Sequence, residues 1–280
     1  MNRLTLRLKR WTRFSLRFFL LAVTLIAAWT GVHVRRANEQ RQAVKAFTEH
    51  GGWIRYDFEL DSSGKFDSNR SSWAPKWLID RLGYDFFHSV EQVSFVYNDD
   101  KGRKDNPNVK PAPLEHLRGV PKLRRLFMKE GQATDDNLRH VAQLRKLEWF
   151  YVWDAIELGD EGVQHLVNLQ HLSNIHIGSS RISDASLRVF GQLKQLKRLT
   201  LQFSAFSDDG ISHLKELQNL ESLWVCGVEK MDADPVLTDR CMDEIAKFKK
   251  LNRLGIQNTK ITDERVAKFK NQNPNCKISH

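Results

Sequence analysis

The chain has 280 residues, 41% hydrophobic and 28% charged, with seven Pro and 15 Gly, which excludes a mini-protein, a collagen-like fibre and a broadly disordered chain. Its formal charge of +10 invites a nucleic-acid reading until the charge is located. Residues 1–45 hold ten Lys or Arg against one acid, Glu39, while the other 235 residues carry 34 bases and 33 acids; the folded part is nearly neutral and no nucleic-acid partner is expected.

From the amino terminus, residues 1–17 form a basic segment. Residues 18–34, Phe18 to Val34, contain no formally charged residue. As a helix at about 1.5 Å per residue this run covers roughly 25 Å, within the usual range of a membrane span. An uncleaved anchor, a cleaved signal peptide and a buried core helix are the three readings. The run exceeds a signal's apolar region, and Ala27-Ala28 is followed by Trp29 instead of a small-x-small cleavage site, which favours the anchor. Trp11 and Trp29 suit the two interfaces, and the flanking arginines can snorkel. Six bases precede the span and four follow it. This bias predicts a single-pass protein with its carboxyl-terminal domain on the non-cytoplasmic side.

Residues 35–112 read as a linker helix and an amino-terminal cap. The helix is expected to continue through Val44 and Phe47 until Gly51-Gly52 stops it. Ile54, Tyr56, Phe58 and Leu60 alternate with Arg55, Asp57 and Glu59, the period of a half-buried strand. Asp61–Ser72 is Ser-rich and predicts a loop, and Trp77, Leu78 and Leu82 predict a short helix ending at Gly83. Val90, Val93 and Phe95 have the spacing of a further strand, followed by a polar insert, Asp99–Pro113.

Residues 113–280 repeat. Leu114, Leu138, Val163, Leu187, Ile211, Met242 and Val266 each open a segment with apolar residues at third positions, at spacings of 24, 25, 24, 24, 31 and 24. Each of the six full units then carries an LxxLxL block, from Leu123/Leu126/Met128 to Leu251/Leu254/Ile256. All 18 block positions are apolar, a coincidence on the order of 10⁻⁷ by composition alone. The block predicts a short strand and the opening segment a short helix, each too small to bury its apolar face without stacked neighbours. Thr134-Asp135, Ser183-Asp184, Ser207-Asp208, Thr238-Asp239 and Thr262-Asp263 stand before the openings. Ser or Thr caps a helix and acids suit the positive end of its dipole, so these clusters read as helix starts and not as catalytic groups. Asn273–Ile278 reads as a truncated last strand.

These units resemble the leucine-rich repeat family, in particular bacterial proteins with repeats of the form ITDxGLxxLxxLxxLxxLxL. The resemblance covers about 113–279. It implies an α/β solenoid, with parallel strands on a concave face and helices on a convex one, behind an amino-terminal transmembrane helix. One extra residue near Ile156-Glu157 and seven around Val228–Pro235 depart from the pattern, both after a strand, where they are expected to bulge. In the cap, Gly51-Gly52-x-x-x-Tyr56-Asp57 and Asp85-Phe86-Phe87 resemble membrane-anchored bacterial members of the same group.

The chain lacks a P-loop, a nucleophile elbow, HExxH and paired-Cys zinc spacing, so neither catalysis nor a metal or cofactor is expected. His116, His140, His165 and His213 share the third position of their segments and read as a repeated surface site in preference to a metal or pH-sensing ladder. Cys226 and Cys241 flank the larger insertion, which a disulfide would close in an oxidising compartment.

The strongest candidate surface lies between the block residues, at positions that point away from the core. Trp149, Tyr151 and Trp153 send three large aromatics from one strand. Their neighbours in the same columns are expected to be Arg125, Phe127 and Lys129 on one side and Asn174, His176 and Gly178 on the other, with Arg198, Trp224 and Arg253 further along. Trp, Tyr and Arg together have the composition of binding hot spots. The competing reading is that the rings pack on one another or under the Asp99–Pro113 insert. The expected function is therefore that of a membrane-anchored, non-enzymatic recognition or scaffold protein that binds a protein partner through the concave face. A carbohydrate or cell-envelope binder and a regulatory subunit of a membrane complex are the alternatives, since fold alone does not fix function.

Overall fold

A computed structural model of the chain describes residues 16–61, 64–67, 69–96, 98–99, 102–103, 111–129, 131–178, 181–202, 206–227 and 237–280. Trp11, the residues added around Val228–Pro235 and most of the Asp99–Pro113 insert lie outside them.

The apolar run belongs to α1, Leu16–Glu49, the one helix among the described residues long and apolar enough to cross a membrane. Its two halves differ. Up to Arg36 the described side chains are exposed except His33, whereas Ala37, Gln40, Ala43 and Phe47 are buried along one face, as helical spacing requires. That face packs on the cap and on the first repeat segment, where a Cβ at Gly119 would lie 2.5 Å from the Glu39 carbonyl oxygen and 2.9 Å from Ala43 Cβ. The helix ends as expected: Gly51 takes φ +76° and the Gly52 N–H donates to Phe47 O at 2.9 Å.

Nine strands form one sheet in chain order. They are β1 (Trp53–Tyr56), β2 (Val90–Ser94), β3 (Arg125–Met128), β4 (Trp149–Val152), β5 (Asn174–Gly178), β6 (Arg198–Gln202), β7 (Ser222–Cys226), β8 (Arg253–Gly255) and β9 (Lys277–Ser279). β1 is antiparallel to β2, and every later pair is parallel. β1 stops four residues short of the expected Leu60. Asp57–Glu59 is a 3₁₀ turn instead, because the Tyr56 N–H donates to Glu59 Oε2 and the Asp57 carboxylate accepts from the Ser89 N–H and hydroxyl.

All 18 block positions are buried, and they share one core with the opening segments. Those segments are short helices, as expected, but of two kinds. The first two, Leu114–Gly119 and Asn137–Gln143, are 3₁₀ helices. Later units begin with an α turn, α4 (Asp160–Gln164), α5 (Asp184–Phe190), α6 (Asp208–Ser212) and α7 (Cys241–Ile245), and then tighten. The cause is the apolar spacing of three, which brings side chains to one side only at three residues per turn. In the third unit the N–H of Leu166, Leu169 and Leu172 each donates to the apolar residue three before it. Only the last helix, α8 (Asp263–Gln272), runs longer.

Five acids at the helix starts, Asp135, Asp160, Asp184, Asp208 and Asp239, do more than face their own dipole: they reach forward into the following unit. Asp135 Oδ1 accepts from the Gly159 and Gly162 N–H groups at 2.7 and 2.9 Å, capping a helix whose own N-cap, Gly159, has no side chain. Asp160 accepts from the N–H and hydroxyl of both Ser183 and Ser186. Asp184, Asp208 and Asp239 hold Ser207, Thr238 and Thr262 in the same way. Burial opposes the charge on Asp160, but the Ser183 and Ser186 bonds outweigh it and hold its pKa below the ordinary value. The three cysteines are free thiols, so the bridge envisaged between Cys226 and Cys241 is not formed. Burial, with Asp208 adding to it, pushes the Cys241 thiol up to about 12.

Candidate binding face of the sheet

Parallel pairing sorts the residues between the block positions into columns. One runs Arg125, Trp149, Asn174, Arg198, Ser222 and Arg253; the next runs Phe127, Tyr151, His176, Thr200, Trp224 and Gly255. Tyr151 is the hub of an aromatic cluster. Its ring centroid lies 5.2 Å from Phe127, 5.8 Å from Trp149, 5.5 Å from Trp153 and 5.6 Å from His176, the last pair parallel to within 1°. All five side chains are half-buried. The rings do pack on one another, and each keeps surface toward solvent.

Cations border the cluster. The Arg125 guanidinium sits 4.7 Å over the Trp149 ring, a cation–π geometry, and donates to the Gly64 carbonyl. Gly64 is buried with φ +74°, and a side chain there would collide with that guanidinium. Arg198 is exposed and donates to Asn174 Oδ1 at 3.3 Å, and Lys129 is half-buried beyond the end of β3. Trp224 and Arg253 are not part of the ring cluster: Thr200 stands between His176 and Trp224 in the column. The Trp224 ring instead covers Gly255, where a Cβ would collide with it, and Arg253 is exposed beyond.

The structure adds residues that the periodicity did not mark. Arg55 of β1 lies 3.7 Å over the Phe66 ring and 4.9 Å over Trp53, so the cap extends the aromatic and basic surface past β3. Burial lowers the pKa of Arg55, with Arg125 adding to the effect, and burial together with Arg124 lowers that of Arg125; both guanidiniums stay charged at neutral pH. Burial raises the Tyr151 pKa against the pull of Arg198 and Arg125. The face thus presents partly dehydrated cations beside ring faces, a surface that attracts carboxylates and planar groups.

A second arrangement, in the cap, was also invisible in sequence. The Ser72 hydroxyl donates to His88 Nε2 at 2.7 Å, and His88 Nδ1–H donates to Asp57 Oδ1 at 2.7 Å. Nucleophilic hydrolases set these groups in the same series. Here the imidazole side chain is only 1% exposed and lies 4.4 Å from the Phe58 ring, while Ser72 Oγ also accepts the Ala74 N–H. The series ties three cap segments together. Among the described residues no group of three or more His, Cys, Asp or Glu side chains is placed to hold a metal ion.

No protein-family profile matches the sequence, and no curated protein matches it. Among solved structures the chain is similar to an internalin from Listeria monocytogenes, at 18% identity over 59% of this chain and 49% of that one, with a TM-score of 0.40. It is also similar to a leucine-rich repeat protein from Leptospira interrogans, at 15% identity over 61% of this chain and 52% of that one, with a TM-score of 0.35. The chain spans about half the length of each.

Proposed function

We propose that the chain is a membrane-anchored, non-enzymatic leucine-rich repeat protein whose exposed strand face, the concave face of a solenoid, recognises a protein partner. The observation that carries the reading is the cluster of Phe127, Trp149, Tyr151, Trp153 and His176 on the side of the sheet opposite the apolar core, flanked by Arg55, Arg125 and Arg198. The core is complete without these rings, so they are not needed to fill it. Large aromatics beside arginines concentrate binding energy, and an acidic or aromatic segment of a partner matches them. The extended uncharged half of α1 supports the anchor, with the repeats held on the non-cytoplasmic side.

The test is a quantitative pull-down from native membranes with the wild-type chain and two variants. One carries Trp149→Ala, Tyr151→Ala and Trp153→Ala; the other carries Arg198→Glu and Arg253→Glu, which alter exposed charges without removing ring packing. Both are first matched to wild type by circular dichroism melts. Loss of the same partners from both variants supports the face as the binding surface. Partner sets identical to wild type in the charge variant and in a folded ring variant would count against it. Binding that survives protease treatment of the ligand but not glycosidase treatment would replace a protein partner with a carbohydrate.

A further inference from the structure

The cap carries a second apolar surface, away from the sheet face. Trp73 is 72% exposed and Trp77 64%, and Leu82 and Tyr84 are exposed as well. All lie in or beside two short helices, α2 (Lys76–Leu82) and α3 (Tyr84–Phe87). Single exposed tryptophans need no explanation, but this group is connected to α1. Ring contacts run from Trp29 to His33 at 5.0 Å, from His33 to Phe86 at 5.1 Å, from Phe86 to Phe87 at 5.1 Å and from Phe87 to Trp73 at 5.6 Å.

Polar bonds fix the height of this edge along α1. His33 Nε2–H donates to Phe86 O at 3.0 Å. Further along, the Gln40 amide donates to Asp85 Oδ1 and His88 O and accepts from the Val90 N–H, while Arg41 donates to Leu82 O. The edge therefore runs along α1 from His33, where the uncharged run gives way to Arg35 and Arg36, to Arg41, about 12 Å further along the axis. On a spanning helix the His33 end of this edge is the boundary between acyl chains and headgroups, where Trp and Tyr are favoured, and the rest faces the headgroup side. α2 exposes Lys76 and Arg81 beside Asp80 on the same edge, cations suited to lipid phosphates.

We infer that the Trp73–Phe87 edge of the cap rests in the headgroup layer of the bilayer that α1 spans, with Trp73 and Trp77 as interfacial anchors. The inference rests on the reading of α1 as an uncleaved span. It gives the protein two contacts with one leaflet, a helix through it and an aromatic edge on it.

The full chain is reconstituted in vesicles of phosphatidylcholine and phosphatidylglycerol in which part of the phosphatidylcholine is brominated near the headgroup end of its acyl chains. Bromine quenches nearby tryptophan emission. Wild type is compared with Trp29→Phe and with the pair Trp73→Phe and Trp77→Phe, phenylalanine preserving the apolar shape so that melts stay matched. Loss of Trp73 and Trp77 is expected to lower the quenched fraction of the emission. If those rings face water or protein, their removal raises the quenched fraction, and the inference is overturned; an unchanged fraction overturns it equally. A Trp29→Phe chain that loses no quenching would show instead that α1 does not span, which separates failure of the anchor from failure of the edge.

Discussion

Asp160 shows how one side chain joins two repeats. Its carboxylate accepts four hydrogen bonds from the next unit, and bonds to a charged acceptor are among the stronger ones. Asp160→Asn is expected to lower the denaturant midpoint, by roughly 1–3 kcal/mol in stability. The pH dependence has a definite sign. Because the folded pKa lies below the unfolded value, the stabilisation is full above about pH 4 and is lost as pH falls through the folded pKa. Acid titration of wild type should therefore show a stability slope below about pH 4 that is shallower in Asp160→Asn. A variant equal to wild type in both midpoint and slope would rule out the latch as a source of stability.

At the level of elements, the docked half of α1 depends on a close approach. Gly119 faces the Glu39 carbonyl with no room for a side chain, so Gly119→Val should lift the helix from the first repeat. The readout is trypsin, which has sites at Arg35, Arg36, Arg41 and Lys45; cleavage there is expected to accelerate in the variant while the repeat core stays resistant. Unchanged cleavage would mean that the cap bonds alone hold α1. The elements were unequally legible in sequence. The strands were readable because LxxLxL alternation recurs six times, and with them came the columns that bring Arg125, Trp149 and Asn174 or Phe127, Tyr151 and His176 side by side. A spacing of three in the opening segments was equally plain, but a single step of three suits either helix, and only its continuation through several steps selects the 3₁₀ form. Phe58, which alternates like a strand residue, was claimed by a turn that Glu59 and Asp57 close with side-chain bonds. Gly64, Phe66 and the Ser72–His88–Asp57 series had no periodic signal, because loops that pack by shape and single hydrogen bonds leave none.

For the whole molecule, the basic excess surrounds the apolar run of α1 and the remainder is close to neutral. Attachment to membranes should then depend on the apolar run and not on charge. The chain is expected to stay with the membrane pellet in about 1 M salt, where the Debye length falls to about 3 Å, and to be released by detergent. Release by salt alone would point to a peripheral protein. If α1 spans as proposed, the absence of a break between its exposed and docked halves changes how partners are met. A domain on a flexible tether sweeps a volume and meets partners at many heights and angles. A domain welded to its own span has one height and one tilt, and explores the membrane only by lateral drift and by spinning about the bilayer normal. Under the proposed anchoring, encounter becomes a two-dimensional search, and only partners that present their epitope at the matching altitude above the lipid are sampled at all.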